Sequence, residues 1–246
     1  MGTLPATLAI VLTLSGPPTD PAYFPTRLTH LGDARQAIVV TGRSMGSSYA
    51  TLRAYGRGDD GRWRAIFPAM AARNGYGGWQ WAAKRVQDTG TTPIGTFRLT
   101  EAYGLAADPG ARLPYRRLDQ NDYWAGDRRD PRTYNVFQPV ASPQRTWRIS
   151  QAERLGAYPR QYAYLAVIDF NRPAATAWDS ARHQYFAADP AVAGRGSAIF
   201  LHVDGKGSTA GCVSVARAGM ITLLRWLDPS LKPRIVMAPL GDITRA

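Results

Sequence analysis

Helical periodicity is almost absent from this sequence, and that scarcity constrains the fold more than any other feature. Only residues 216–227 carry a full stripe: Met220, Leu223, Leu224 and Leu227 recur at i, i+3, i+4 and i+7, and Pro229 closes the segment. Such a stripe packs against a core. Residues 150–155 add at most one helical turn. The other apolar segments are short and extended. Residues 36–41 (QAIVVT) and 48–55 (SYATLRAY) read as strands, and 62–67 (RWRAIF) follows the turn signal Asp59-Asp60-Gly61. Residues 162–169 (YAYLAVID) and 197–203 (SAIFLHV) are apolar runs of the kind found in buried strands, and 234–238 (RIVMA) ends at Pro239. Residues 70–145, rich in Gly, Pro, Tyr and Trp, read as loops, and no internal repeat is visible. The expected fold is mainly β with one or two helices, arranged as a sandwich or barrel.

A chain of 246 residues suffices for one sizeable core. Residues 1–35 read as a leader and a Pro-rich linker, with Pro17, Pro18, Pro21 and Pro25, and residues 36–246 as one folded domain. The apolar run at 8–14 (LAIVLTL) fits the central region of a secretory signal, although no Lys or Arg precedes it, so export is expected. No apolar run approaches the ~20 residues that span a bilayer, so no membrane span is expected.

The formal net charge is +12, from 30 basic and 18 acidic residues. The only lysines are Lys84, Lys206 and Lys232. The arginines are scattered, no basic run is interleaved with aromatics, and no zinc-finger or RNA-recognition motif occurs, so no nucleic-acid partner is expected. The charge leaves two readings open: a solvated surface, or affinity for an anionic wall polymer. No HExxH and no Cys/His cluster is present, so neither a metal nor another cofactor is expected. The single cysteine, Cys212, has no partner for an internal disulfide. Its thiol is either a buried small hydrophobe or a reactive group.

Its neighbours favour reactivity. A buried strand delivers His202 near its end, a loop with Gly205, Gly207 and Gly211 follows, and Cys212 precedes the helix expected from Ala216. A thiol near a helix N-terminus lies in positive potential, which favours thiolate. Glycines let backbone N–H groups turn toward a developing oxyanion. A strand histidine can exchange a proton at neutral pH, and a glycine-rich loop can close the ten positions between it and the thiol. Cys212 and His202 are therefore the candidate nucleophile and base. Gly211, Ser208, Thr209 and Ser214 are the candidate substrate-binding positions. His30 lies in the linker and His183 in a polar stretch, without comparable context.

The segment resembles the L,D-transpeptidases of the YkuD catalytic-domain type, in which a strand histidine is followed by a Ser/Thr-x-Gly-Cys motif. Here these are His202 and Ser208-Thr209-Ala210-Gly211-Cys212. TPIGTF at 92–97, preceded by Asp88-Thr89-Gly90, is similar to the family's Thr-Pro-x-Gly-x-Phe stretch. Trp124, Asp127, Tyr134 and Asn135 are similar to a mid-domain signature of one bacterial branch, as is GRGSAIFLH at 194–202. These marks run from about 36 to 239. Ala210 stands where many members have a second histidine, Ser214 where many have Arg or Asn, and the loop between His202 and Cys212 is shorter than in the best-known members.

The resemblance implies a β-rich catalytic domain over 36–246 acting on peptidoglycan stem peptides. Cys212 would attack the third stem residue, His202 would serve as base and then acid, and backbone N–H groups of Cys212 and Gly211 would hold the oxyanion. A backbone carbonyl around 204–207, or the Asp204 side chain, would orient the histidine. Transfer to a second stem would give a 3→3 cross-link. Capture of the thioester by water would make the chain an L,D-carboxypeptidase, and an inert Cys212 would leave a wall-binding module.

Overall fold

Short runs of β-branched and aromatic residues pair into one closed sheet in the computed structural model, which describes residues 21–246. The apolar run at 8–14 and the leader read from it lie outside the described residues. The first third of the chain supplies β1 (Gln36–Gly42), β2 (Tyr49–Arg57), β3 (Trp63–Ala65), β4 (Met70–Arg73) and β5 (Trp79–Trp81). The middle supplies β6 (Thr92–Gly104), β7 (Tyr115–Arg117), β8 (Tyr123–Ala125), β9 (Val136–Gln138) and β10 (Ala152–Arg154). There follow β11 (Leu165–Ile168), β12 (Ala177–Asp179), β13 (Gln184–Phe186), β14 (Phe200–Val203), β15 (Val213–Val215), α1 (Arg217–Trp226) and β16 (Arg234–Pro239).

Neighbours run β1-β16-β6-β11-β14-β15-β4-β2, and β2 pairs back onto β1, so the path closes like a barrel. Closure removes the exposed edges of an open sheet. Every residue of β1 is buried, which is why it reads as a continuous apolar run. Two parallel pairings stand out in the closed path, β1 with β16 and β14 with β15. Outside the barrel, β10, β8 and β9 form a separate three-stranded antiparallel sheet, and β12 and β13 form a hairpin.

Side chains on β14 and β15 alternate between two cores. Leu201, Val203, Val213 and Val215 join the main core with Ile38, Leu52 and the helix residues Met220, Leu223 and Leu224. Phe200 and Cys212 join a second, aromatic core with Trp124, Phe137 and Tyr162. The mid-domain signature frames that second core. Trp124 packs edge-on against Phe200 at 4.8 Å, and its Nε1 donates to Asn135 Oδ1 at 2.8 Å. The same oxygen accepts from the Ala198 N–H at 3.1 Å, while Asn135 Nδ2 donates to the carbonyls of Phe170 and Asn171. Asp127 is buried and accepts from the Arg148 backbone N–H and from Arg148 Nε, which holds its carboxyl down at about 2.

The mainly β expectation with a single stripe-bearing helix matches the structure. Four local readings change. The longest strand, β6, lies in the stretch read as loops: Pro93, Gly95 and Gly104 mask it, and its length is shared among β5, β16, β11 and β7 in turn. The strand expected over 197–203 begins only at Phe200, because Ala198 is left-handed at φ 55°. The turn at 150–155 is a 3-10 turn, Ile149–Gln151, followed by β10. Within the segment read as linker, Leu28 and Leu31 are buried in the main core.

Asn135→Ala should lower the unfolding free energy by about 2–4 kcal/mol, because Trp124 Nε1 and the Ala198 N–H lose their shared acceptor in a dry site. Urea denaturation measures it. A loss below about 1 kcal/mol would mean that the two donors find other partners.

Candidate active site

Parallel pairing of β14 with β15 sets His202 opposite Ser214 and Leu201 opposite Val213. Period-two alternation then puts His202 on the same face as Phe200, and Cys212 on the same face as Ser214. Cys212 and His202 both line one cleft of about 580 Å³. The sulfur is held by backbone: the Phe200 N–H donates to Sγ at 3.3 Å, and the thiol donates to the Ala198 carbonyl at 3.2 Å. Left-handed Ala198, fixed by Asn135, is what aims that carbonyl at the sulfur.

His202 Nδ1 lies 2.7 Å from the Val203 carbonyl. A carbonyl can only accept, so Nδ1 carries the proton and Nε2 keeps a free lone pair. The ring is also held edge-on by Tyr162, at 5.6 Å and 90°. The orienting group is thus the carbonyl of the adjacent residue, neither Asp204 nor the carbonyls of 204–207; Asp204 pairs with Arg160 at 3.5 Å.

Electrostatics correct a second expectation. Cys212 does not sit at a helix N-terminus, because β15 intervenes before α1 begins at Arg217. Burial pushes the thiol up to about 12, helped by the Glu153 carboxylate and opposed by the Phe200 amide and Arg85. Burial likewise depresses His202 to about 4, against the pull of the Val203 carbonyl and Asp204. The two resting groups are a neutral thiol and a neutral imidazole on one cleft, suited to proton transfer and not to a stored ion pair.

The other expected positions divide. Ser208 is exposed and lines the cleft. Thr209 also lines it, but its hydroxyl donates to the Cys212 carbonyl at 2.6 Å and accepts from the Gly211 N–H at 3.1 Å. The Thr209 backbone is pinned to Asn74 and Tyr76, so this residue shapes the loop. With its N–H on Thr209, Gly211 has no free amide for an oxyanion. Its carbonyl accepts from Thr92 Oγ1 at 2.9 Å, which gives the threonine of TPIGTF a structural task. A Cβ at Gly211 would meet Arg85 Nη2 at 2.7 Å and the Thr91 carbonyl at 2.9 Å, at a φ of 137°. Ser214 is buried on β15 and does not line the cleft.

Two charged groups in the cleft escaped sequence reasoning. Arg85 is 5% exposed and lies against Gly211. Glu153, on β10, accepts a hydrogen bond from the Tyr162 hydroxyl, and burial pushes its carboxyl up. Nothing local marks either one: Arg85 is one arginine among many, and Glu153 sits on a three-residue strand.

Fold and site together define a mainly β domain with a thiol and an imidazole on the wall of one cleft. A family model for the YkuD L,D-transpeptidase catalytic domain matches residues 30–236. The match spans most of the chain, which belongs to this family. No curated protein and no solved structure matches it. Among the described residues, no helix is long and apolar enough to cross a membrane and no cluster of three metal-ligating side chains occurs.

Alkylation of Cys212 by iodoacetamide should be slow at neutral pH and climb about tenfold per pH unit up to pH 10, since only the thiolate reacts. A plateau between pH 5 and 8 would reveal a thiolate–imidazolium pair instead. Stability should fall as pH drops from 6.5 toward about 4, because the unfolded chain then takes up a proton that buried His202 does not. Thermal denaturation across that window reads the sign.

Proposed function

We propose that the chain is an exported L,D-transpeptidase that cross-links peptidoglycan stem peptides through a Cys212 thioester. One observation carries this reading. The only cysteine of the chain shares a cleft with an imidazole whose free Nε2 is fixed by a backbone carbonyl. Family membership supplies the substrate class. The folded domain that does this spans roughly 36–246, and the site of action is the cell wall, where a net charge of +12 suits anionic polymers.

In this mechanism Sγ attacks the carbonyl of the third stem residue while its proton passes to His202 Nε2, and an S–C bond forms. The C–N bond to the terminal D-Ala breaks, and the imidazolium returns the proton to the leaving amine. The Cys212 N–H, beside its own sulfur, is the amide offered to the oxyanion. The side-chain amine of a second stem then attacks the thioester. The C–S bond breaks, a 3→3 amide forms, and the amine's proton returns to the thiol through His202. Water in place of the amine would make the reaction a hydrolysis. The Glu153 carboxyl supports the amine: it lies in the same cleft, close enough to the thiol to raise its pKa, and only one of its oxygens accepts from Tyr162. A carboxylate there attracts an ammonium by charge, which water lacks, and takes the proton that the ammonium must shed before the amine attacks.

Cys212→Ala should abolish D-Ala release from tetrapeptide muropeptides without lowering the thermal transition by more than a few degrees. Undiminished release would remove Cys212 as nucleophile. Glu153→Gln should shift products from cross-linked dimer to tripeptide by about tenfold, the worth of one charge-assisted contact. Mass spectrometry of the digest reads both, and an unchanged ratio would count against an amine site at Glu153.

A further inference from the structure

Arg85 follows a 3-10 turn (Ala82–Lys84), between exposed Lys84 and Val86, yet its own side chain turns inward and is 5% exposed. It bridges two segments: Nε donates to the Thr91 carbonyl at 2.7 Å and Nη1 to the Arg195 carbonyl at 3.0 Å. Those contacts need N–H donors and not a positive charge. The charge is there regardless, because a guanidinium does not give up its proton in a protein. No acidic side chain pairs with it among the described residues, and the nearby Asp88 is held by Arg128 at 2.5 Å. The face of Phe170, 5.5 Å away, is its one cation–π contact among the described residues. Nη2, the nitrogen nearest Gly211, donates to nothing among the described residues, and Arg85 lines the cleft with Cys212.

A buried cation without a counter-ion is costly unless something anionic completes it. The room around it has been kept by glycines. A Cβ at Gly196 would fall 1.7 Å from Nη1 and one at Gly211 would fall 2.7 Å from Nη2. The thiol is close enough for the guanidinium to favour its ionised form. A group bound at Arg85 is therefore held beside the reacting sulfur.

We propose that Arg85 receives the free terminal carboxylate of the donor peptide, so that the cleft selects a chain end whose last residue, the leaving amino acid, carries an ionised carboxyl. This rests on the peptidoglycan reading above and adds an end-selecting contact to it. The planar guanidinium matches a carboxylate, and glycine-lined space lets the two meet without displacing a side chain. Glu153 would then lie on the acceptor's side of the thiol and Arg85 on the leaving group's side.

The test compares a stem tetrapeptide ending in D-Ala with the same peptide ending in D-alaninamide. In the parent enzyme, kcat/KM for release of the last residue should be about 10- to 100-fold lower for the amide, the loss of one buried charge-assisted contact. In Arg85→Gln the gap should shrink to within about threefold, and in Arg85→Lys, which keeps the charge but not the fork, it should be intermediate. Equal rates for acid and amide in the parent overturn the proposal, as does a full gap in folded Arg85→Gln. A second readout needs no turnover: N-acetyl-D-alanine should slow iodoacetamide alkylation of Cys212 in the parent several-fold more than N-acetyl-D-alaninamide does. Equal protection by the two overturns the carboxylate site even where the glutamine variant does not fold. Preferential protection by the acid in a protein that turns over no muropeptide would support the site while refuting the wall-peptide reading.

Discussion

Everything at the cleft depends on the parallel pairing of β14 with β15. Parallel neighbours cannot be joined by a tight hairpin, so the chain must leave β14 and loop back before entering β15. That return, over residues 204–212, carries the Ser208–Gly211 motif over the cleft and delivers the thiol at the start of β15, level with the strand that bears the histidine. The loop is tied down by an isolated bridge between Gly75 and Thr209 and by Thr92 on Gly211. Register fixes the histidine and thiol relative to each other, and the loop contacts keep the register from drifting.

The sulfur lies in an aromatic core, where water cannot stabilise its anion. Burial alone would make a poor nucleophile, and the Phe200 amide, the Cys212 amide and Arg85 only partly offset it. What burial provides is a low-dielectric wall, with strong local fields for any charge that develops on the thiol or the imidazole. The buried Trp124–Asn135–Ala198 chain belongs to the same arrangement, since it holds the carbonyl that accepts the resting S–H.

That Cys212 and His202 meet on one cleft was legible in the sequence, because a lone thiol, a glycine-rich loop and a strand histidine lie within ten positions. The ionisation of the thiol was not legible. Val213–Val215 is too short to be told from a loop by pattern, and without it the cysteine reads as the start of the helix. The long strand β6 was hidden for a similar reason: its proline and glycines look like punctuation, and its pairing with four partners in succession has no local trace. The charges of Arg85 and Glu153 gain meaning only from burial and from elements far away in the chain. The roles given to Gly211 and Thr209 shifted because their polar groups bond to each other, a contact that sequence spacing allows but does not specify.

The separate sheet β10-β8-β9 divides the cleft between two structural authorities. Cys212 and His202 hang on the closed barrel, whose strands constrain one another all the way round. Glu153 stands on the small sheet, and Tyr158 and Gln161 on the turns that follow it, joined to the barrel side by aromatic packing and by single hydrogen bonds such as Leu105 N–H to the Tyr162 carbonyl and Ala198 N–H to Asn135. No strand of the small sheet pairs with a barrel strand, so a change there has no sheet ladder through which to disturb the barrel. The fold can therefore vary what it admits on one side while keeping the thiol and the imidazole in place on the other, as a lock can be re-keyed without recasting the bolt.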